Sequence, residues 1–239
     1  TCLVVAAVTP LLSTGAALDP VSDLFAVVAL LTLGTVALAL AGIDTGTAFG
    51  GLGASRESTI VALVEPTLLV AIFALSVPAG STDLGAIVTA TLADPAQVLS
   101  PVSLLAAAAL IVVIVAETGR LPVDNPSTHL ELTMVHEAMV LEYAGPDLAL
   151  IELAAAMRLT LFLGLLANLF LPWGIGTGGH PAGLAVGAVA VVAKVALLGT
   201  LLAVGEVFLA KLRLFRVPEL LAGSFVMGLL AVGASYFLA

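Results

Sequence analysis

The chain has 239 residues, 61% of them hydrophobic and 10% charged, with a mean hydropathy of +1.24. Sixteen acids against seven bases give a net charge of −9, whereas a soluble domain carries about a quarter of its residues as Asp, Glu, Lys and Arg. A soluble enzyme, a nucleic-acid binder and a disordered tail are excluded, which leaves a polytopic membrane protein whose exterior is solvated by lipid.

Residues 1–18, 24–43, 66–82, 95–116, 159–193 and 220–239 contain no Asp, Glu, Lys or Arg. Several of these runs reach the roughly 20 apolar residues that cross a bilayer. The fold class expected is all-α, a transmembrane helix bundle in one domain, 1–239. Residues 1–14 form a short first span, A. Asp19-Pro20 supplies a capping acid with proline at the first helical position and opens span B, about 20–43. Span C, about 58–79, closes at Val77-Pro78-Ala79-Gly80. Ser100-Pro101 opens span D, about 101–118, and Gly145-Pro146-Asp147 precedes span E, about 147–171. His180-Pro181 precedes span F, about 181–206, and Val217-Pro218 opens span G, about 218–238. Seven spans result. The short alternating segments of a membrane barrel are not seen. No internal repeat is evident, which weakens an inverted-repeat transporter.

Lysines and arginines in short loops mark the cytoplasmic side. Loop 44–57 holds Arg56, loop 119–146 holds Arg120, and loop 207–217 holds Lys211, Arg213 and Arg216. The alternate loops, 15–19, 80–100 and 172–180, hold none. The three basic loops are therefore expected in the cytoplasm and the C-terminus outside. Cys2 is the single cysteine, so this chain alone forms no disulfide and ligates no iron–sulfur cluster.

Residues 117–158 concentrate the charge: Glu117, Arg120, Asp124, Glu131, Glu137, Glu142, Asp147, Glu152 and Arg158. Apolar residues from Leu130 to Leu141 interleave with the acids, as in a partly buried or interfacial helix. Clustered, buried carboxylates shift towards neutrality and so hold and release protons. A merely solvated acidic loop is the alternative. Arg158 and Lys194 fall near the middle of spans E and F, where charge is rare and usually functional. The two antiparallel spans leave them free to approach each other or share a water cavity. The bland alternative is that each pairs with a carboxylate and fixes packing. Glu65 in span C precedes Pro66, which removes a backbone donor and disturbs the carbonyl of Ala62. A proton stop beside a kink and a plain kink are the two readings, and Glu206 in span F shares the ambiguity.

Gly174, Gly176 and Gly179 match G-x-G-x-x-G without the strand and helix that motif requires, so no nucleotide site is expected. His136-Glu137 fails H-E-x-x-H because Val140 stands fifth. His129 and His136 are seven apart, and a hydrogen-bonded interfacial role is favoured over a metal site. No metal is expected.

The run Ala116-Glu117-Thr118-Gly119-Arg120-Leu121-Pro122-Val123-Asp124-Asn125-Pro126, continuing to Glu131-Leu132 and Glu142-Tyr143, is specific. It resembles the signature of the membrane subunit that anchors the peripheral arm of respiratory complex I, the subunit 1 family of NADH dehydrogenases. The variant with P-V-D-N-P, T-H-L-E-L-T-M and H-E-A-M is similar to the homologous membrane-anchor subunit of energy-converting [NiFe] hydrogenases of the formate hydrogenlyase and hydrogenase-4 type. Residues 49–57 and 210–219 resemble the family's first and last cytoplasmic loops. The family usually has eight spans, so the first span and its loop are expected to be absent here.

The resemblance implies a non-redox subunit of an oxidoreductase complex in the cytoplasmic membrane. It would couple electron transfer in the peripheral arm to proton or sodium translocation. Carried over, Glu117, Arg120, Asp124, Glu131 and Glu142 match the acidic signature, and Glu57 the acid of the first loop. With Glu65, Glu137, Arg158, Lys194 and Glu206 they make the expected coupling path. Arg56, His129, His136, Lys211, Arg213 and Arg216 make the expected peripheral-arm interface. Implied partners are the hydrogenase large and small subunits, an iron–sulfur subunit, antiporter-like membrane subunits and lipid. Iron–sulfur clusters and the [NiFe] centre belong to those partners. His129 stands where complex I members commonly have an acid, which puts a quinone in doubt. The alternatives are a quinone-site subunit of a complex I-like enzyme and a stand-alone cation transporter or scaffold.

Overall fold

The computed structural model describes residues 1–14, 21–124, 134–177 and 181–238. In chain order these form α1 (Cys2–Val8), β1 (Ser13–Thr14), α2 (Leu24–Asp44), α3 (Ala48–Ala79), α4 (Leu84–Ala93), a 3-10 turn (Pro95–Leu99), α5 (Pro101–Glu117), α6 (His136–Val140), α7 (Gly145–Phe170), β2 (Gly176–Thr177), α8 (Pro181–Phe208), a second 3-10 turn (Leu214–Arg216) and α9 (Val217–Leu238). The expected all-α membrane bundle is what is found. Among the described residues five helices, α2, α3, α7, α8 and α9, are long and apolar enough to cross a membrane, and α4 and α5 are shorter apolar helices. Span D is α5, whose 17 residues reach about 26 Å. Span A is reduced to the seven residues of α1.

Local chemistry sets most boundaries. Ser100 caps α5 by accepting from the Ser103 amide, with Pro101 in the first turn. α3 ends at Gly80, whose φ of 63° is the left-handed conformation that closes a helix at low cost. Two boundaries differ from expectation. α2 starts at Leu24, because the cap is Asp23, which accepts from the Phe25 amide; Asp19 lies outside the described residues. α3 starts at Ala48, ten residues before the expected start of span C, because Thr47 caps it by accepting from the Gly50 amide. Arg56 and Glu57 are thus helical, and most of loop 44–57 does not exist as a loop. α4 falls within the loop expected over 80–100; Asp83 caps it by accepting from the Ala86 amide.

α3 is central and packs against α2, α5, α6 and α9. Its Val64, Leu68, Ala71 and Ile72 meet Leu110 and Val113 of α5 and Leu221 and Ala231 of α9 in one buried cluster. In lipid, helix association rests on close packing and polar contacts more than on hydrophobic burial. Gly228 of α9 accordingly sits against Val70, where an added Cβ would lie 3.2 Å from a methyl.

The segments with and without basic residues separate to opposite ends. At one end β1 and β2 pair in parallel, Ser13 with Gly176 and Thr14 with Thr177, and Leu24 and Leu84 donate to the carbonyls of Thr82 and Ser22. At the other end the Leu212 amide donates to the Pro122 carbonyl at 2.8 Å, and the Tyr143 hydroxyl to the Ala41 carbonyl at 3.1 Å.

Candidate functional site

That second end holds a buried ionic cluster built from four elements. After α5 the chain turns at Gly119, whose φ is 59°. A Cβ there would stand 2.7 Å from His136 Nδ1, so glycine is required both by conformation and by space. The turn delivers Asp124, 2% exposed, into the interior. Its Oδ2 accepts from the amides of Val135 and His136 at 3.1 and 3.2 Å, and its Oδ1 faces Lys211 Nζ at 3.0 Å. The His136 ring stands between two acids, with Nδ1 3.8 Å from Asp124 and Nε2 3.5 Å from Glu57. These are ion-pair separations, longer than hydrogen bonds. Glu57 is 1% exposed on α3.

α6 reaches Glu57 because Gly53, one turn earlier on α3, has no side chain. A Cβ on Gly53 would lie 2.9 Å from Met139 Cγ and from the Val135 carbonyl oxygen. Arg56 pins the same segment, its Nη1 donating to the Met134 carbonyl at 2.9 Å.

Burial opposes charging the His136 ring, but the Glu57 carboxylate and then Asp124 outweigh it, and the pKa rises from 6.5 to about 9. The ring is therefore a cation at neutral pH, with a negative charge on each side.

A second pair adjoins it. Arg158 of α7 donates to Glu117 at the end of α5 and to the Thr35 hydroxyl of α2. Its guanidinium also lies 5.9 Å over the Phe162 ring. Arg158, Glu57, His136 and Glu65 all act electrostatically on Glu117. A cavity of about 290 Å³ opens beside the pair, lined by Glu117, His136 and Arg158 together with Leu31, Gly34 and Ala154. Arg120 and Glu206 face each other at 3.8 Å, above a second cavity of about 310 Å³ bounded by leucines of α7 and α8. Among the described residues, Glu57 Oε2 and Glu65 Oε1 are buried without a hydrogen-bond partner.

Of the residues expected in a coupling path, Glu57, Glu117, Asp124 and Arg158 come together, with Arg120 and Glu206 alongside. Glu65 lies two turns along α3 from Glu57, and the helix runs through Pro66 unbroken. Glu137 is half-buried and Glu142 exposed. Glu131 and His129 lie outside the described residues. Arg158 and Lys194 do not meet: Lys194 Nζ donates to Asn168 Oδ1 at 3.1 Å, and Asn168 is ten residues, about 15 Å, along α7 from Arg158. Among the bases expected on a docking face, Arg56, His136 and Lys211 are engaged inside the protein, and Arg213 and Arg216 are exposed. Among the described residues no group of three or more His, Cys, Asp or Glu is arranged to hold a metal. Thr35 and Asn168 do not stand out in the sequence, since a hydroxyl or an amide inside an apolar run usually bonds its own helix.

The sequence profile of the NADH dehydrogenase family matches residues 1–234. The chain is similar to formate hydrogenlyase subunit 4 of Escherichia coli (strain K12), 28% identical over 229 residues that cover 96% of this chain and 73% of that protein. It is similar to hydrogenase-4 component C of the same organism, 32% identical over 229 residues covering 96% and 71%. Among solved structures it resembles a chain of the membrane-bound sulfane sulfur reductase, an archaeal respiratory membrane complex. The TM-score there is 0.77 at 22% identity, over 98% of this chain and 75% of that one. At that identity the likeness speaks to the fold.

Proposed function

The chain belongs to the NADH dehydrogenase family, and on that premise we propose that it is the membrane-anchor subunit of an energy-converting hydrogenase complex. Its two curated relatives carry the names of a formate hydrogenlyase subunit and a hydrogenase-4 component, which favours the hydrogenase branch over a quinone-reducing one. The end that carries Arg120, Lys211, Arg213 and Arg216 faces the cytoplasm and receives the peripheral arm, as the asymmetry of basic residues supports. The C-terminus faces the opposite side. The subunit carries no redox centre; the iron–sulfur clusters and the [NiFe] centre are supplied by its partners.

The buried cluster couples the two processes. His136, held as a cation between Asp124 and Glu57, is the single observation that carries this reading. A charge arriving near the docking face changes the field on Asp124 and His136. Glu57 and Glu117 respond by taking up or releasing a proton, because closely spaced buried carboxylates exchange charge states cooperatively. Arg158 clamps Glu117 and is the charged link deeper along α7. The cavity beside Glu117, His136 and Arg158 is polar at one wall and roomy enough for water to carry protons to and from the cluster.

The test uses the whole complex in proteoliposomes. Glu57→Gln removes the proton-binding group and keeps its shape. Hydrogen-linked ion movement is expected to fall by about a hundredfold or more, the lower end of what a positioned proton-transfer group contributes, while hydrogenase turnover with a soluble artificial acceptor persists. Ion movement equal to wild type sinks the relay. Ion transport by the purified chain without any partner instead favours a stand-alone transporter.

A further inference from the structure

α8 is the least embedded of the long helices, with 6% of its most apolar stretch buried. It packs on α7 and on the β1–β2 pair and turns a wide apolar face outwards, on which Val189, Val192, Leu197 and Leu201 are more than half exposed. Lipid alone would satisfy such a face were it not for Lys194. This residue is fourteenth of 28 in the helix, so about 20 Å of helix separates it from either end. A lysine side chain cannot snorkel that far to reach an interface.

Lys194 has one partner among the described residues. Asn168, 2% exposed, donates both amide protons to the carbonyls of Pro10 and Leu11 at 3.0 and 2.8 Å, which fixes its Oδ1 towards Lys194 Nζ at 3.1 Å. The amide supplies a dipole but no negative charge. No described carboxylate lies within ion-pair distance of the ammonium, and the side chain is half-buried at the edge of the outward face. A charge placed mid-helix in lipid is costly and is almost always paired or turned to the bundle interior. Phospholipid offers an anion only at its interface, not at that depth.

We propose that the exposed face of α8 around Lys194 docks a membrane helix of another subunit, and that this helix carries an Asp or Glu at the depth of Lys194. The proposal rests on the reading that the chain works inside a membrane complex. The asparagine orients the ammonium, the partner carboxylate neutralises it, and the pair sets the register of the two helices.

The experiment uses the intact complex, extracted from membranes by a tag on this chain. A membrane-permeant carbodiimide, which condenses an amine and a carboxylate in contact into an amide, is expected to join Lys194 to an acidic residue in an apolar helix of a second subunit. Lys194→Met is expected to lower recovery of that subunit by about a hundredfold or more, the scale of an unpaired buried charge, with Lys194→Arg close to wild type and the membrane level of this chain unchanged. Full recovery of every membrane subunit with Lys194→Met overturns the proposal. So does a cross-link confined to this chain, or labelling of Lys194 by a lipid-phase amine reagent in the assembled complex. If the wild-type chain brings down no other membrane subunit, the functional reading itself fails, which separates the two results.

Discussion

The charge on His136 makes the docking of α6 pH-dependent, with a sign and window that follow from its surroundings. Its pKa is raised from 6.5 to about 9, burial opposing the charge and the Glu57 and Asp124 carboxylates overcoming it. At 1.36 kcal/mol per unit the shift corresponds to on the order of 3 kcal/mol of stabilisation. For a group whose folded pKa is raised, this stabilisation is fully present below about pH 6.5 and is lost as the pH climbs through about 9. Opening of α6 exposes the ring to water, so the equilibrium for opening should rise about tenfold per pH unit between those limits and then level off. Amide hydrogen exchange over residues 135–140, corrected for the intrinsic pH dependence of exchange and measured in nanodiscs, reads this directly. His136→Gln should exchange faster than wild type at pH 6.5 and show no such slope. A flat wild-type profile, or a slope retained in His136→Gln, refutes the assignment of the charge to this ring.

Asp124→Asn keeps the acceptor for the Val135 and His136 amides but removes the charge facing Lys211 and the imidazole. Breaking one side of a buried pair costs roughly 3–5 kcal/mol; thermal unfolding of the purified protein should shift down accordingly, and the pH window of α6 should move lower. Gly53→Ala should push α6 off α3, since the new methyl would lie 2.9 Å from Met139 Cγ and the Val135 carbonyl oxygen. Overpacking of this kind costs about 1–3 kcal/mol, and faster exchange in α6 with α3 and α9 unaffected is the expected signature. With Glu57→Gln and Lys194→Met, these variants separate the cluster's stability from its role in coupling and from lateral assembly.

Much of the fold is legible in the chain because lipid simplifies the rules. An uncharged run of twenty residues has to satisfy its backbone within itself, so it becomes a helix. Pro101, Pro146, Pro181 and Pro218 mark helix starts because proline lacks the amide proton that a first turn leaves unused. The separation of basic from non-basic loops to opposite ends is likewise readable, whereas the approach of Glu57 to Glu117 and Asp124 from a different segment is not. The start of α3 is harder to read, because Arg56 and Glu57 look like loop charges. Thr47 is the cap that marks it, and Gly50 and Gly53 read as flexible residues when they are points of close contact. Ser81-Thr82-Asp83 before an apolar run is the corresponding signal for α4.

The sequence alone determined the class of the molecule, its helical spans and the end of the bundle at which its charge collects, since these follow from local composition and from the cost of burying backbone and charge in lipid. Tertiary structure decided which charges meet. Arg158 and Lys194 occupy comparable positions in neighbouring spans, yet one closes on Glu117 and Thr35 from other helices while the other finds only the Asn168 amide among the described residues. Those pairings depend on how far antiparallel helices slide past one another and on a few glycines that let them touch, and neither is written in the spacing of residues along one chain.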